Sequence, residues 1–153
     1  MDSLKDRLQH DLTEAMRAQD DVARETLRMA LAAVQRAEVA GKEQIELDDD
    51  AIVGVLQTEV RKRTEAAEAY AAGGRTDRAD RERAEAAVLA AYLPAALSED
   101  ELAAIVAEEV ARAADEGLAG GKAMGAVVKA VRARAGAGTE GGRIAAAVKA
   151  ALG

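Results

Sequence analysis

Pro94 is the only proline in 153 residues. It stands inside AAYLPAALSEDEL, residues 90–102, between stretches that otherwise read as unbroken helix. Proline lacks an amide hydrogen and pushes the preceding residue out of the helical region, so one helix is expected to end near Tyr92. Four residues after Pro94, Ser98 followed by Glu101 forms a capping box. Leu102, Ile105, Val106 and Val110 then give a new helix its apolar face. A helix stop and a helix start this close divide the chain into an N-terminal subdomain, residues 1–93, and a C-terminal subdomain, residues 95–153. Tyr92, Leu93 and Pro94 are the expected hinge, with Tyr92 and Leu93 packing between the two parts.

The remaining composition points to helix throughout. There are 40 alanines and no Phe, Trp, Cys or Asn, and alanine is the strongest helix former. Large core formers are sparse, so the core is expected to be thin. The fold class is all-α, with about four helices before the hinge and three after it. The first is capped by Ser3 and carries Leu4, Leu8, Leu12 and Met16 on a stripe. The second places Val22, Leu27, Leu31 and Val34 inward and stops near Gly41. The third starts at Leu47–Asp50, carries Ile52, Val55, Leu56, Val60 and Tyr70, and ends at Gly73 and Gly74. Thr76 or Asp77 caps the fourth. After the hinge, a sixth helix runs through Val127, Val128 and Val131. A seventh holds Ile144, Val148 and Leu152.

Charge is unevenly spread. Residues 117–153 hold Lys122, Lys129, Arg132, Arg134, Arg143 and Lys149 against one acid, Glu140, whereas the whole chain carries −7. Six basic residues at one end of an acidic protein are either solvated helix faces or a local positive surface for phosphates.

Few residues invite catalysis. One histidine, His10, and two serines at cap positions assemble no nucleophile–base set; with no cysteine and a single histidine, no zinc site is expected, and no disulfide can form. No cofactor or metal is expected. Asp48, Asp49 and Asp50 read as helix-start acids rather than cation ligands. Gly136-Ala137-Gly138-Thr139-Glu140-Gly141 matches G-x-G-x-x-G in letters, but a helix precedes it where a dinucleotide site needs a strand. It reads first as a helix–glycine loop–helix turn, with the start of the last helix as an alternative phosphate site, and its glycines fit a close backbone approach to a partner. Glu59 with Arg63 reads as an ordinary pair on a helix surface. The acidic amphipathic start and the lack of a long apolar run lead to the expectation of a cytoplasmic protein with no membrane contact.

Four segments carry a resemblance: TLRMALAAVQRAEVA (residues 26–40), EVRKRTEAAEAYAAGGRTDRA (59–79), YLPAALSEDEL (92–102) and MGAVVKAV (124–131). In order and spacing the chain resembles the GatB/YqeY family over essentially its whole length. Members look like the C-terminal tail of the B subunit of glutamine-dependent aminoacyl-tRNA amidotransferase. That enzyme amidates misacylated Glu-tRNA or Asp-tRNA with ammonia from glutamine after activation by ATP.

The resemblance implies a helical segment up to about Leu93, a terminal helical domain from Ala95, and a tail that helps to hold tRNA. Kinase and glutaminase chemistry reside in other parts of that enzyme. Lys122 and Lys129 flank the matching Met124-Gly125. The chain departs from the family in having Arg143 beyond the glycines, where a G-R-x-D-G loop is frequent, and in having Ala96 where glutamine is common.

The resemblance thus implies a tRNA-associated module, with the six basic residues facing tRNA through phosphates and shape. Amidotransferase subunits are the implied protein partners, and no duplex DNA partner is expected. Two other readings stay open. One is a protein-binding adaptor that docks through an apolar strip around Met124 and Val128. The other is a contribution to carbon–nitrogen ligase activity, with glutamine as amido donor, inside a complex.

Overall fold

A computed structural model describes residues 3–136 and 138–153. It contains seven α-helices and no strand among the described residues: α1 (Leu4–Arg17), α2 (Asp21–Val39), α3 (Asp49–Ala72), α4 (Thr76–Ala90), α5 (Glu99–Asp115), α6 (Gly120–Ala135) and α7 (Gly141–Leu152). The helices form two compact units, Met1–Leu93 and Pro94–Gly153.

In the first unit α3 and α4 form the tightest pair, α1 packs on α2, and α2 packs on both α3 and α4. Leu8, Leu27, Val34, Ile52, Leu56 and Leu89 are fully buried, with Ala15, Ala30, Ala67 and Ala79 between them. Each fully buried leucine stabilises by about 1.5–3 kcal/mol, while the alanines let helices approach closely.

The caps are specific. Ser3 Oγ accepts from the Asp6 amide at 3.1 Å, and Asp20 Oδ1 accepts from the Ala23 amide at 3.1 Å. Asp48 Oδ1 accepts from the Ala51 amide at 2.8 Å. Asp49, beside it, reaches across the fold and accepts from the Leu4 amide at 3.0 Å, so the acids that start α3 also cap α1.

Three expectations change here. Thr76 does not cap α4 but begins it, and Arg75 occupies the cap position without a side-chain capping bond. The Arg75 amide instead donates to the Tyr70 carbonyl at 2.8 Å, closing the turn around Gly74 (φ 78°) and leaving no spacer before α4. Met16 is 48 % exposed rather than inward. The pair Glu59 and Arg63 is not on the surface at all, being 6 % and 4 % exposed.

Tyr92, at the end of the first unit, donates its hydroxyl to Asp11 Oδ2 on α1. The Arg7 guanidinium sits 5.5 Å from its ring centroid. Burial, and then the bond to Asp11, push the Tyr92 hydroxyl above its ordinary pKa. Leu93 is half-buried and Pro94 exposed.

Glu38 fixes the long connection between α2 and α3. Its carboxylate accepts from Lys5 Nζ at 2.9 Å and from the Leu47 amide at 3.1 Å. The Lys5 bond, and then the Leu47 amide, hold its pKa below the ordinary carboxylate range, against an opposing push from burial. A carboxylate depressed in the folded state stabilises fully above its unfolded pKa, and that contribution is lost as pH falls through the folded value. Glu38→Gln is therefore expected to lower the urea midpoint at neutral pH, with the gap to wild type narrowing as pH falls below the ordinary carboxylate range. A gap independent of pH would contradict this.

In the second unit α5, α6 and α7 pack pairwise around Leu102, Val106, Ala113, Val127, Val131, Ile144 and Val148. Ser98 and Glu101 form the expected capping box, with the Glu101 amide donating to Ser98 Oγ at 3.1 Å. The segment before α5 and the loop before α7 are stitched together. The Leu97 amide donates to Thr139 Oγ1 at 3.1 Å, and Arg143 Nη2 donates to the Leu97 carbonyl at 3.1 Å.

Within the G-x-G-x-x-G stretch, Ala137 lies outside the described residues. At Gly138 a Cβ would stand 2.7 Å from the Ala95 carbonyl and 2.8 Å from that of Pro94. The close approach at Gly138 is thus to the chain's own backbone rather than to a partner. Gly138→Ala is expected to destabilise by about 1–3 kcal/mol through this overlap. Gly142→Ala, where a Cβ meets nothing within 4 Å, should be neutral or stabilise by up to about 1 kcal/mol. Chemical denaturation of the two variants checks the contrast.

Candidate nucleic-acid interface

The six basic residues singled out by the sequence fall into two groups. Lys122, Lys129, Arg132 and Lys149 are exposed, and none forms an ion pair among the described residues. On α6, Lys122 and Lys129 lie seven residues apart and Arg132 three further on. A seven-residue step drifts only about 20° around a helix, so the three share the face opposite buried Ala123, Val127 and Val131. Gly121 and Gly125 lie among them, and a Cβ at either would meet nothing within 4 Å. Arg132 also reaches the start of α7, its Nη2 lying 2.6 Å from where a Gly141 Cβ would stand. Lys149 is exposed on α7.

Arg134 and Arg143 are already engaged. Arg134 donates to Glu109 Oε1 at 3.1 Å and pairs with Glu108 Oε2 at 2.7 Å. Arg143 pairs with Glu99 Oε1 at 2.7 Å while holding the Leu97 carbonyl. Both are bound to the N-terminal approach or the acids of α5, a helix that the count over residues 117–153 left out. Taken as a whole, residues 94–153 hold seven basic and eight acidic residues, a net charge of −1. The positive surface is therefore local to the outer face of α6 and to Lys149.

Neither tyrosine is a free stacking platform. Tyr70 and Tyr92 are half-buried, and the guanidinium groups of Arg78 and Arg7 lie 5.8 and 5.5 Å from their ring centroids. Met124 and Val128, the strip suggested for a protein partner, are partly buried against the core of the second unit. The apolar groove there lies instead between α5 and α7, about 380 Å3 in volume and lined by residues including Leu102, Val106 and Ala147.

One cluster went unrecognised in the sequence. Arg63 on α3 donates to the Glu59 carbonyl at 3.1 Å and to its carboxylate at 3.4 Å, and Glu85 on α4 stands 3.7 Å from its Nε. Lys62 pairs with Glu59 at 3.2 Å. Arg81 links Glu85, at 3.4 Å, to Glu25 of α2, at 2.6 Å. The signal was present: Ile52, Leu56, Glu59, Arg63 and Ala67 follow one another by three or four residues on a single helical stripe. Charged residues at apolar-stripe positions mark a buried pair.

These features define a small all-helical protein of two compact units with an exposed basic helix face. Among its described residues no helix is long and apolar enough to cross a membrane. The Yqey-like protein family profile matches residues 5–152, and the chain belongs to that family. It is 32 % identical over 108 residues to altered inheritance of mitochondria protein 41, mitochondrial, of Eremothecium gossypii, covering 71 % of this chain and 55 % of that protein. It is 33 % identical over 92 residues to the protein of the same name from Meyerozyma guilliermondii, covering 60 % and 47 %. The chain thus spans about half the length of these curated relatives.

Proposed function

We propose that this Yqey-like chain is a tRNA-associated module that positions tRNA for, or acts beside, glutamine-dependent tRNA amidation. In this reading the chemistry belongs to other subunits. The observation that carries it is the row of Lys122, Lys129 and Arg132 on the solvent face of α6, unpaired among the described residues, with two open glycines among them. Cationic side chains on a face without neighbouring bulk can meet a phosphate backbone closely, and phosphate contacts position a nucleic acid without reading its sequence. Lys149 joins them as a further phosphate contact. Arg134 and Arg143 act indirectly, by fixing α5 against α6 and α7. Resemblance to the amidotransferase tail supplies the choice of tRNA over other polyanions.

Replacing Lys122, Lys129 and Arg132 together with alanine is expected to lower the slope of log affinity for tRNA against log salt by about 2–3. Arg134→Ala should leave that slope close to wild type. Equal slopes for wild type and the triple variant would remove the α6 face from the reading.

The groove between α5 and α7 favours a second reading, a protein-binding adaptor. A stoichiometric protein partner that survives nuclease treatment and is lost on Ala147→Glu would support it.

A further inference from the structure

Arg63 has one neighbour outside its ion cluster. Its Nη2 donates to the thioether sulfur of Met29, across from α3 to α2, at 3.6 Å. Arg63 is 4 % exposed and its Nη1 is occupied by Glu59, so among the described residues this sulfur is the one acceptor that Nη2 meets. A thioether is a weak acceptor. Buried donors are nearly always satisfied, and a guanidinium gains most from an oxygen that carries negative charge.

Met29 is unlike a core methionine. It is 51 % exposed and lines an open cavity of about 450 Å3 together with Lys62, Ala66 and Glu82. A small solute reaches it from solvent without entering the packing around Arg63.

Oxidation supplies the oxygen that Nη2 lacks. A sulfoxide oxygen stands about 1.5 Å from its sulfur, so a nitrogen 3.6 Å from that sulfur lies about 2.9 Å from an oxygen placed at a bend of about 105°, an ordinary hydrogen bond. Neither sulfur nor guanidinium has to move.

We propose that Met29 is an oxidation site: it takes an oxygen atom from a peroxide, and Arg63 Nη2 holds the sulfoxide so formed, tightening α2 against α3. In the step, a sulfur lone pair forms the S–O bond as the peroxide O–O bond breaks. The proton of the transferred oxygen passes to the departing one, which leaves as water. The thioether is oxidised by two electrons and the peroxide is reduced. Methionine sulfoxide is otherwise a lesion that weakens packing, and its sulfur is chiral. Only one of the two epimers directs its oxygen at Nη2. This inference does not rest on nucleic-acid binding, and either can fail without the other.

The test is treatment of the folded full chain with hydrogen peroxide, followed by mass-spectrometric mapping of each methionine peptide before and after incubation with the two epimer-specific sulfoxide reductases. Met16 on α1, 48 % exposed and without such a donor among the described residues, is the internal control. Met29 is expected to oxidise about as fast as Met16. One epimer should exceed the other about fivefold at Met29, as part of a charge-assisted bond formed in the transition state gives, while Met16 yields both in similar amounts. A second arm uses no oxidant. Met29→Gln places an amide oxygen near the sulfoxide position and is expected to raise the urea midpoint of α2–α4 above that of Met29→Leu, although leucine is the better helix former. Equal epimers at Met29, much slower oxidation than at Met16, or a glutamine variant no more stable than the leucine one overturns the proposal.

Discussion

Replacing Arg63 with methionine is expected to destabilise the first unit by about 3–5 kcal/mol, the range for removing one partner of a buried ion pair. Met fills much of the space but leaves the carboxylates of Glu59 and Glu85, both less than a tenth exposed, without their shared cation. Lys62 and Arg81 still reach one oxygen of each carboxylate, Glu59 Oε2 and Glu85 Oε1. That residual pairing places the effect near the lower end of the range. For a unit of this size the melting temperature should fall by roughly 10 °C or more. Adding Glu59→Leu and Glu85→Leu to the methionine variant should recover much of the loss, because a buried ionic group contributes little more than an apolar one of its size. Urea unfolding of the two variants decides it. A triple variant less stable than the single one would show that the ions themselves, and not their desolvation, dominate.

Ile144→Ala is expected to unfold a large fraction of the second unit. Ile144 is fully buried and, among the described residues, is one of the seven buried members of that core cluster. An isoleucine-to-alanine change in such a position costs about 2–5 kcal/mol. A unit of about 60 residues has a total stability of only about 3–9 kcal/mol by ordinary scaling, and small units bury proportionally less surface. Protection of the α5–α7 amides from hydrogen exchange should collapse in the variant. Retained protection would mean that alanines at Ala113, Ala123 and Ala147 can close over the cavity.

The helices were legible because their signals are local. Ser3, Ser98, Asp48 and Pro94 act within a few residues of themselves, and each marks a boundary the structure shares. Which residues turn inward was harder to read. A four-residue step overshoots a helical turn by about 40°, so the stripe Leu4, Leu8, Leu12, Met16 has drifted by about 120° at its last member. Ala15, only about 20° from Leu4, takes the buried position in its place.

Non-local electrostatics were illegible in a different way. Arg134 and Arg143 look free when charges are counted along residues 117–153, and only the fold brings Glu99, Glu108 and Glu109 of α5 against them. Charge masks position at Glu38, and it places Arg63 with Glu59 on the surface, although Glu38 and Arg63 each continue an apolar stripe. Partners such as Lys5 for Glu38, 33 residues away, have no sequence signature at all.

The central claim is that the outer face of α6 carries tRNA. Its most direct test is binding of the full chain to unfractionated tRNA, titrated from low to physiological salt beside a duplex DNA control, for wild type and the Lys122, Lys129, Arg132 triple alanine variant. The account predicts saturable binding that prefers tRNA, falls with salt as about 3–5 phosphate contacts require, and loses most of that dependence in the variant. Absence of binding even at low salt, or identical curves for the two proteins, would contradict it.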